Sequence, residues 1–258
     1  MRVLITRPSR PAAATANRLA EMGIETVLAP MAEPALDPSA LSALLARKPD
    51  GDILAAAITS AQAAEALRKA GPLSREWQRL PFFAVGRKTA DAARSLGLST
   101  VLEGPGNGVE LARMIAGAFR DMPERCGSRL FYFAGEPRSP DFEASLGEMG
   151  IAVATTVVYR MRPVVWTQEL WDRTLGSACL DAVLLYSSET ARLFFDRLRQ
   201  FSLPQWQSTR SVNHPLACVC LSPAIADMIP LDARLDPVII CKRPDEKAML
   251  EAMGELAG

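Results

Sequence analysis

Twice in this chain a helix-forming stretch closes on Glu-Met-Gly-Ile and passes straight into a strand-forming one: LAEMGIETVLAP from Leu19 and LGEMGIAVATTV from Leu146. Similarity at that distance marks a duplicated architecture. The likeness continues downstream, where TSAQAAEAL from Thr59 matches SSETARLFF from Ser187, and AVGRKTADAA from Ala84 matches CLSPAIADMI from Cys220. Two similar lobes are expected.

Around the repeats, short apolar or β-branched runs alternate with helical stretches, the pattern of βαβ units and a mostly parallel sheet. The runs are VLIT, ETVLA, DILAAAIT, FFAV, STVL, RLFYF, VATTVVY, DAVLLY, ACVCL and PVIIC, with the first helix near Pro11 to Met22. So many strands exceed one small domain, and 258 residues that are 49% apolar can bury a core for each of two sheets. Two proline-bearing segments, Met31 to Pro38 and Arg160 to Trp166, follow the second strand of each half. Proline stops helix and restricts the chain to extended forms, so both read as crossings between lobes. The expected fold class is α/β: two similar lobes, each a mostly parallel sheet flanked by helices.

Charge excludes one broad class. Lysine plus arginine (29) equals aspartate plus glutamate (29), and no basic block stands out, which argues against a nucleic-acid partner. No apolar run is long enough to cross a bilayer, and the start lacks an export signal, so a cytoplasmic protein with no membrane partner is expected. Cys126, Cys179, Cys218, Cys220 and Cys241 are odd in number and scattered, as in a reduced compartment. Cys218 and Cys220 share one strand face without enough companions for zinc, and the single histidine, His214, lies in a polar Asn-His-Pro turn. Metal sites and Ser-His-Asp catalysis are therefore not expected.

Ligands of open parallel sheets bind beyond the carboxyl ends of the strands. The loops there are TRPSR after the first strand, TSA at Thr59, VGRKT at Val85, EGPGNG at Glu103, AGEPRS at Ala134, YSSET at Tyr186 and LSPA at Leu221. Their helix N-termini favour anions, and several together suit a polyanion; equally, Ser60, Thr89 and Ser188 fit as simple helix caps. EGPGNG lacks both the dinucleotide glycine spacing and the P-loop ending, which leaves a nucleotide or sugar-phosphate enzyme as a weaker alternative. With histidine and cysteine set aside, a proton donor would be tyrosine, lysine or a carboxyl group. Tyr159 ends a long strand just before a crossing, where it faces the expected cleft or packs at a domain junction. Tyrosine keeps its proton at neutral pH and can donate to a departing oxygen.

In order and spacing, the VLITRP start, ITSAQAAEAL, AVGRKTADAARSLGL, GNGVELA, the two EMGI segments, the VVYR ending and the closing PDEKAMLEAM resemble the uroporphyrinogen-III synthase (HemD) family across essentially the whole chain. The resemblance implies a discontinuous lobe of residues 1–33 plus 166–258, a lobe of residues 38–160, and a two-stranded linker at about 31–38 and 160–166. It implies an enzyme that closes hydroxymethylbilane to uroporphyrinogen III with loss of water and inversion of ring D through a spiro intermediate. It further implies no metal or organic cofactor, a monomer, and substrate received from hydroxymethylbilane synthase. Spontaneous closure gives the non-inverted isomer, so catalysis would be mainly steering.

By the same resemblance Tyr159 assists hydroxyl departure and Thr89 belongs to the first glycine-threonine loop. Ser60 is a cleft serine with Ser188 its counterpart, and Arg7, Arg10, Arg87 and Arg138, with Gly86, Gly135 and Ser222 in the same loops, are candidates to meet substrate carboxylates. Where the family carries a Gly-Pro-Thr-Thr loop this chain has Ser222, Pro223, Ala224 and Ile225, losing a hydroxyl pair. That departure keeps open a relative that binds a tetrapyrrole or other anion without turnover.

Overall fold

The computed structural model describes residues 1–120, 127–176, 180–201, 216–233 and 235–257. Cys126, Cys179 and His214 lie outside the described residues. In chain order the elements begin with β1 (Arg2–Ile5), α1 (Ser9–Glu21) and β2 (Glu25–Leu28). There follow β3 (Ala32–Ala35), α2 (Pro38–Ala46), β4 (Ile53–Ile58), α3 (Ala61–Ala70), α4 (Arg75–Arg79), β5 (Pro81–Ala84), α5 (Arg87–Arg94), β6 (Thr100–Glu103) and α6 (Gly108–Arg120). The second half runs through β7 (Arg129–Glu136), α7 (Asp141–Glu148), β8 (Ala152–Pro163), α8 (Gln168–Trp171), β9 (Ala182–Leu185), α9 (Ser188–Gln200), β10 (Leu216–Cys220), α10 (Pro223–Ala226), β11 (Leu235–Ile240) and α11 (Glu246–Ala257).

The chain divides into two compact units, Met1–Glu33 with Arg162–Gly258, and Pro34–Met161. The first unit holds a five-stranded sheet, β11-β10-β9-β1-β2, and the second a six-stranded sheet, β3-β8-β7-β4-β5-β6. Leaving β3 aside, the two orders are the same, with β1-β2 of one sheet standing where β7-β8 stand in the other. Each sheet therefore combines the βαβ unit of one sequence repeat with the three later strands of the other repeat. The pairings among the ten strands other than β3 are parallel, for example Ile5 with Leu28 and Leu184, and Phe133 with Ile58 and Thr156.

The repeated Glu-Met-Gly-Ile has a local cause. Gly23 and Gly150 take φ of 74° and 75°, which only glycine adopts without strain. The Ile24 amide then donates to Leu19 O at 2.9 Å and the Ile151 amide to Leu146 O at 2.9 Å. These are the closing bonds of Schellman motifs, which satisfy helix-end carbonyls and release the chain into β2 and β8. The two segments resemble each other because they make the same turn.

All ten expected strands are present. The additional one, β3, carries Pro34 at the edge of its sheet, where a missing N–H interrupts no ladder. Alternation along the strands of the second unit separates two cores. Ala56, Ile58, Phe82 and Phe133 face one set of helices with Trp77, while Ala55, Ala57, Phe83 and Tyr132 face α6 and α7 with Leu111 and Phe142. Trp77 meets Phe131 at 4.9 Å between ring centres and Phe133 at 5.3 Å. In the first unit Val3, Ile5, Leu184, Val219 and Met249 form an aliphatic layer with α1 and α11, the helices that match α7 and α6, and aromatic rings meet elsewhere, Trp166 with Trp171, Trp171 with Phe201 and Phe194 with Phe195. Complete burial of each such side chain contributes roughly 1.5–3 kcal/mol.

Cys218 and Cys220 are buried with their sulfurs 3.7 Å apart on β10, and Cys241 is buried beside Met249. Burial pushes the Cys241 thiol up to about 11, which keeps it protonated and inert. Among the described residues no group of side chains is arranged to hold a metal ion, and no helix is long and apolar enough to cross a membrane.

Candidate active site

Parallel strands bring all their carboxyl ends to one edge of a sheet, and in the second unit that edge collects hydroxyls. Tyr159 on β8 lies beside Gly135 on β7, its register partner. A Cβ on Gly135 would overlap the Tyr159 ring, so the ring rests on bare backbone. From there Tyr159 Oη donates to Ser60 Oγ at 3.1 Å. Ser60 caps α3, its Oγ accepting the Gln62 amide at 3.0 Å, and its own proton is left for a further acceptor. Next to it Thr59 Oγ1 and Tyr132 Oη lie 2.6 Å apart, and burial raises the Tyr132 hydroxyl above the usual tyrosine range.

Thr89 is not a cap. It lies within the first turn of α5, 6% exposed, and its amide donates to Gly86 O at 3.0 Å. Its hydroxyl has no hydrogen-bond partner among the described residues. The N-cap is Gly86, and no side chain caps this helix. The glycines of the EGPGNG loop serve close packing over this turn. Gly104 and Gly106 amides donate to Ala84 O and Val85 O at 2.7 Å each, Gly106 has φ 111°, and a Cβ on Gly86 would come 3.2 Å from Gly106 Cα. This accounts for those glycines without a phosphate cradle. Arg87 is exposed and makes no ion pair among the described residues.

Arg138 is committed locally. Its Nε and Nη2 grip Glu143 at 2.7 and 3.3 Å, Thr155 Oγ1 donates to the same carboxylate at 2.7 Å, and the Tyr132 ring centre is 6.0 Å from Arg138 Cζ. The Arg138 guanidinium accordingly holds the Glu143 carboxyl below its ordinary range.

In the first unit the matching edge is built on ion pairing. Arg7, after β1, lies over the Tyr186 ring with Cζ 4.1 Å from its centre. Its Nη1 donates to Glu246 Oε2 and, at 3.2 Å, to Thr15 Oγ1, and Thr15 Oγ1 donates to Glu246 Oε1 at 2.5 Å. Tyr186 Oη is buried without a partner in bonding geometry, and burial pushes that hydroxyl up to about 12. Glu33 takes both the amide (2.8 Å) and the hydroxyl of Ser9, occupying the α1 N-terminus.

The expected counterpart of Ser60 is displaced by one residue. Ser187, not Ser188, caps α9, accepting the Thr190 amide at 3.1 Å; Ser188 is the first helical residue and its hydroxyl reaches Ala224 O at 3.4 Å. The helix starts two residues past the strand in both units, and that spacing equates Ser60 with Ser187. Ser222 precedes the short α10 without a side-chain capping bond, and Ile225 is buried where the family pattern has threonine. Sequence reasoning missed Thr59, Tyr132, Ser187 and Glu246. Only Ser187 carries a local signal, and Glu246 stands 239 positions from Arg7.

Paired α/β units whose hydroxyls, arginines and helix N-termini gather at the carboxyl ends of parallel strands are the build of a protein acting on a small anionic molecule. A family model described as uroporphyrinogen-III synthase HemD matches residues 13–251. The chain belongs to the uroporphyrinogen-III synthase family, cyclising lyases of tetrapyrrole biosynthesis. Among solved structures, uroporphyrinogen-III synthetase from Helicobacter pylori is similar with a TM-score of 0.62 at 14% identity, over 99% of this chain and 100% of that one. A mutant uroporphyrinogen III synthase from the extremely thermophilic bacterium Thermus thermophilus is similar with a TM-score of 0.53 at 18% identity, over 100% of this chain and 98% of that one. At such identities these likenesses speak for the fold. No curated protein is a significant match in sequence.

Proposed function

We propose that this chain closes hydroxymethylbilane to uroporphyrinogen III and that Tyr159 and Thr89 act at the reacting end of the substrate. The observation that carries this reading is the Tyr159–Ser60 hydroxyl pair, seated on Gly135 at the carboxyl edge of a parallel sheet. As the pyrrole nitrogen expels the terminal hydroxyl, Tyr159 Oη turns its hydrogen bond from Ser60 to the departing oxygen, which leaves as water once protonated. The substituted carbon of the last ring then bonds to the electrophilic methylene to form the spiro intermediate. Re-cleavage and closure at the other position invert the ring, and a proton is lost to restore aromaticity.

The protein's main task is orientation, because the uninverted closure needs no catalyst. In the second unit the uncapped α5 N-terminus with Gly86, Arg87 and the buried Thr89, together with the Ser60 hydroxyl, is the part that takes side-chain carboxylates of the substrate. The readiness of the substrate to close on its own also supports direct receipt from hydroxymethylbilane synthase, by a monomer working in the cytoplasm.

The test is to generate hydroxymethylbilane in place from porphobilinogen, oxidise the products and separate type III from type I porphyrin by chromatography. Type III in excess is the expected result. Type I alone, as in the protein-free blank, overturns the reading.

A further inference from the structure

The two Arg-Glu-Thr-Tyr groups look alike but leave different nitrogens unused. Arg138 gives Nε and Nη2 to Glu143, and those two parallel N–H groups are the pair a carboxylate takes side-on. Arg7 gives only Nη1, to Glu246 and Thr15, and its Nε and Nη2 have no partner among the described residues. The Tyr186 ring beneath it and the Thr15 bridge to Glu246 fix the plane of the guanidinium, although its side chain is only 17% exposed. Glu246 stands in the first turn of α11, where the helix N-terminus offsets part of its charge and leaves part of Arg7's unanswered.

We infer that Glu246, Thr15 and Tyr186 are positioning residues that hold Arg7 with its bidentate edge vacant for one carboxylate of the substrate. The inference rests on the synthase reading for the identity of the carboxylate's owner. It assigns Arg7 to binding and Arg138 to bracing its own loop, a division that loop position alone does not make.

Steady-state kinetics on hydroxymethylbilane generated in place, with thermal melting of each variant, test it. R7A and E246A are expected each to raise KM about tenfold, the loss of one well-oriented charge-assisted contact, with kcat within about twofold of wild type. The R7A/E246A double variant should be no worse than R7A, because Glu246 acts only through Arg7. E246Q keeps an acceptor for Nη1 and should fall between wild type and E246A. An E246A protein with wild-type KM, or effects that multiply in the double variant, overturns the positioning role. If E246A does not fold, E246Q and R7A/E246Q decide by the same criterion. Wild-type protein that makes no type III product overturns the synthase reading instead.

Discussion

The sheets of the two units share one strand order, yet the residues that end equivalent strands differ. After β4 the chain presents Thr59 and Ser60, which bond to Tyr132 and Tyr159. After β9 it presents Tyr186 and Ser187. There the tyrosine is itself the strand-end residue, lying under Arg7, and the serine only caps its helix. The cap is kept in both because the backbone of a strand-to-helix turn demands it. The chemistry around the cap is not kept: one edge carries neutral hydroxyls, the other a cation framed by a carboxylate. Duplication thus supplied two copies of a turn, and each was furnished separately.

The aromatic layer around Trp77 in the second unit gives the largest expected effect. F133A, which empties the centre of the Trp77 cluster, should cost about 3–5 kcal/mol in urea denaturation, and a loss below about 1 kcal/mol would mean that the aromatic layer repacks freely. The alkaline limb follows. Tyr186 is held near 12 in the fold against about 10 in an unfolded chain, so the folded state keeps a proton that the unfolded state gives up. Its contribution is complete below pH 10 and is lost as pH rises from 10 to 12, about 3 kcal/mol in all. Y186F should flatten that part of the stability profile, and an unchanged profile would refute the assignment.

Smaller effects separate the serines. S60A and S187A should each cost about 1 kcal/mol of stability through the lost cap. S60A alone should also lower synthase activity, since Tyr159 loses its partner. S188A should stay within about 0.5 kcal/mol of wild type, and a larger cost would restore Ser188 as the structural counterpart. Smallest is R138A, whose partly exposed ion pair is worth about 0.2–1 kcal/mol, with less effect on KM than R7A. An equal rise in KM would erase the distinction between the two arginines.

Much of this was legible in the residues themselves. The strands announced themselves because parallel sheets buried on both faces need continuous apolar runs, and DILAAAIT and DAVLLY are such runs. Gly23 and Gly150 were visible because one turn geometry needs glycine. Proline hid β3, since a four-residue edge strand leaves almost no pattern. In Tyr-Ser-Ser-Glu either serine fits a cap, and only the point where β9 ends decides between them. The expected division of the chain between lobes came from the resemblance, and the strand order and the Arg7–Glu246 contact from neither. Long-range pairing of charged side chains follows from chain path and leaves no mark on local periodicity.

That chain path also sets a timetable. β1, inside the first sheet, pairs with β9, about 180 residues later in synthesis. At roughly 5–20 residues per second, the β1-α1-β2 unit waits about ten to forty seconds for its partner while the whole of Pro34–Met161 emerges and folds behind it. During that interval Val3, Leu4 and Ile5, all fully buried in the finished protein, have one flank uncovered. A strand made early is thus enclosed late, and until β9 arrives the open flank of β1 is exposed to wrong pairing.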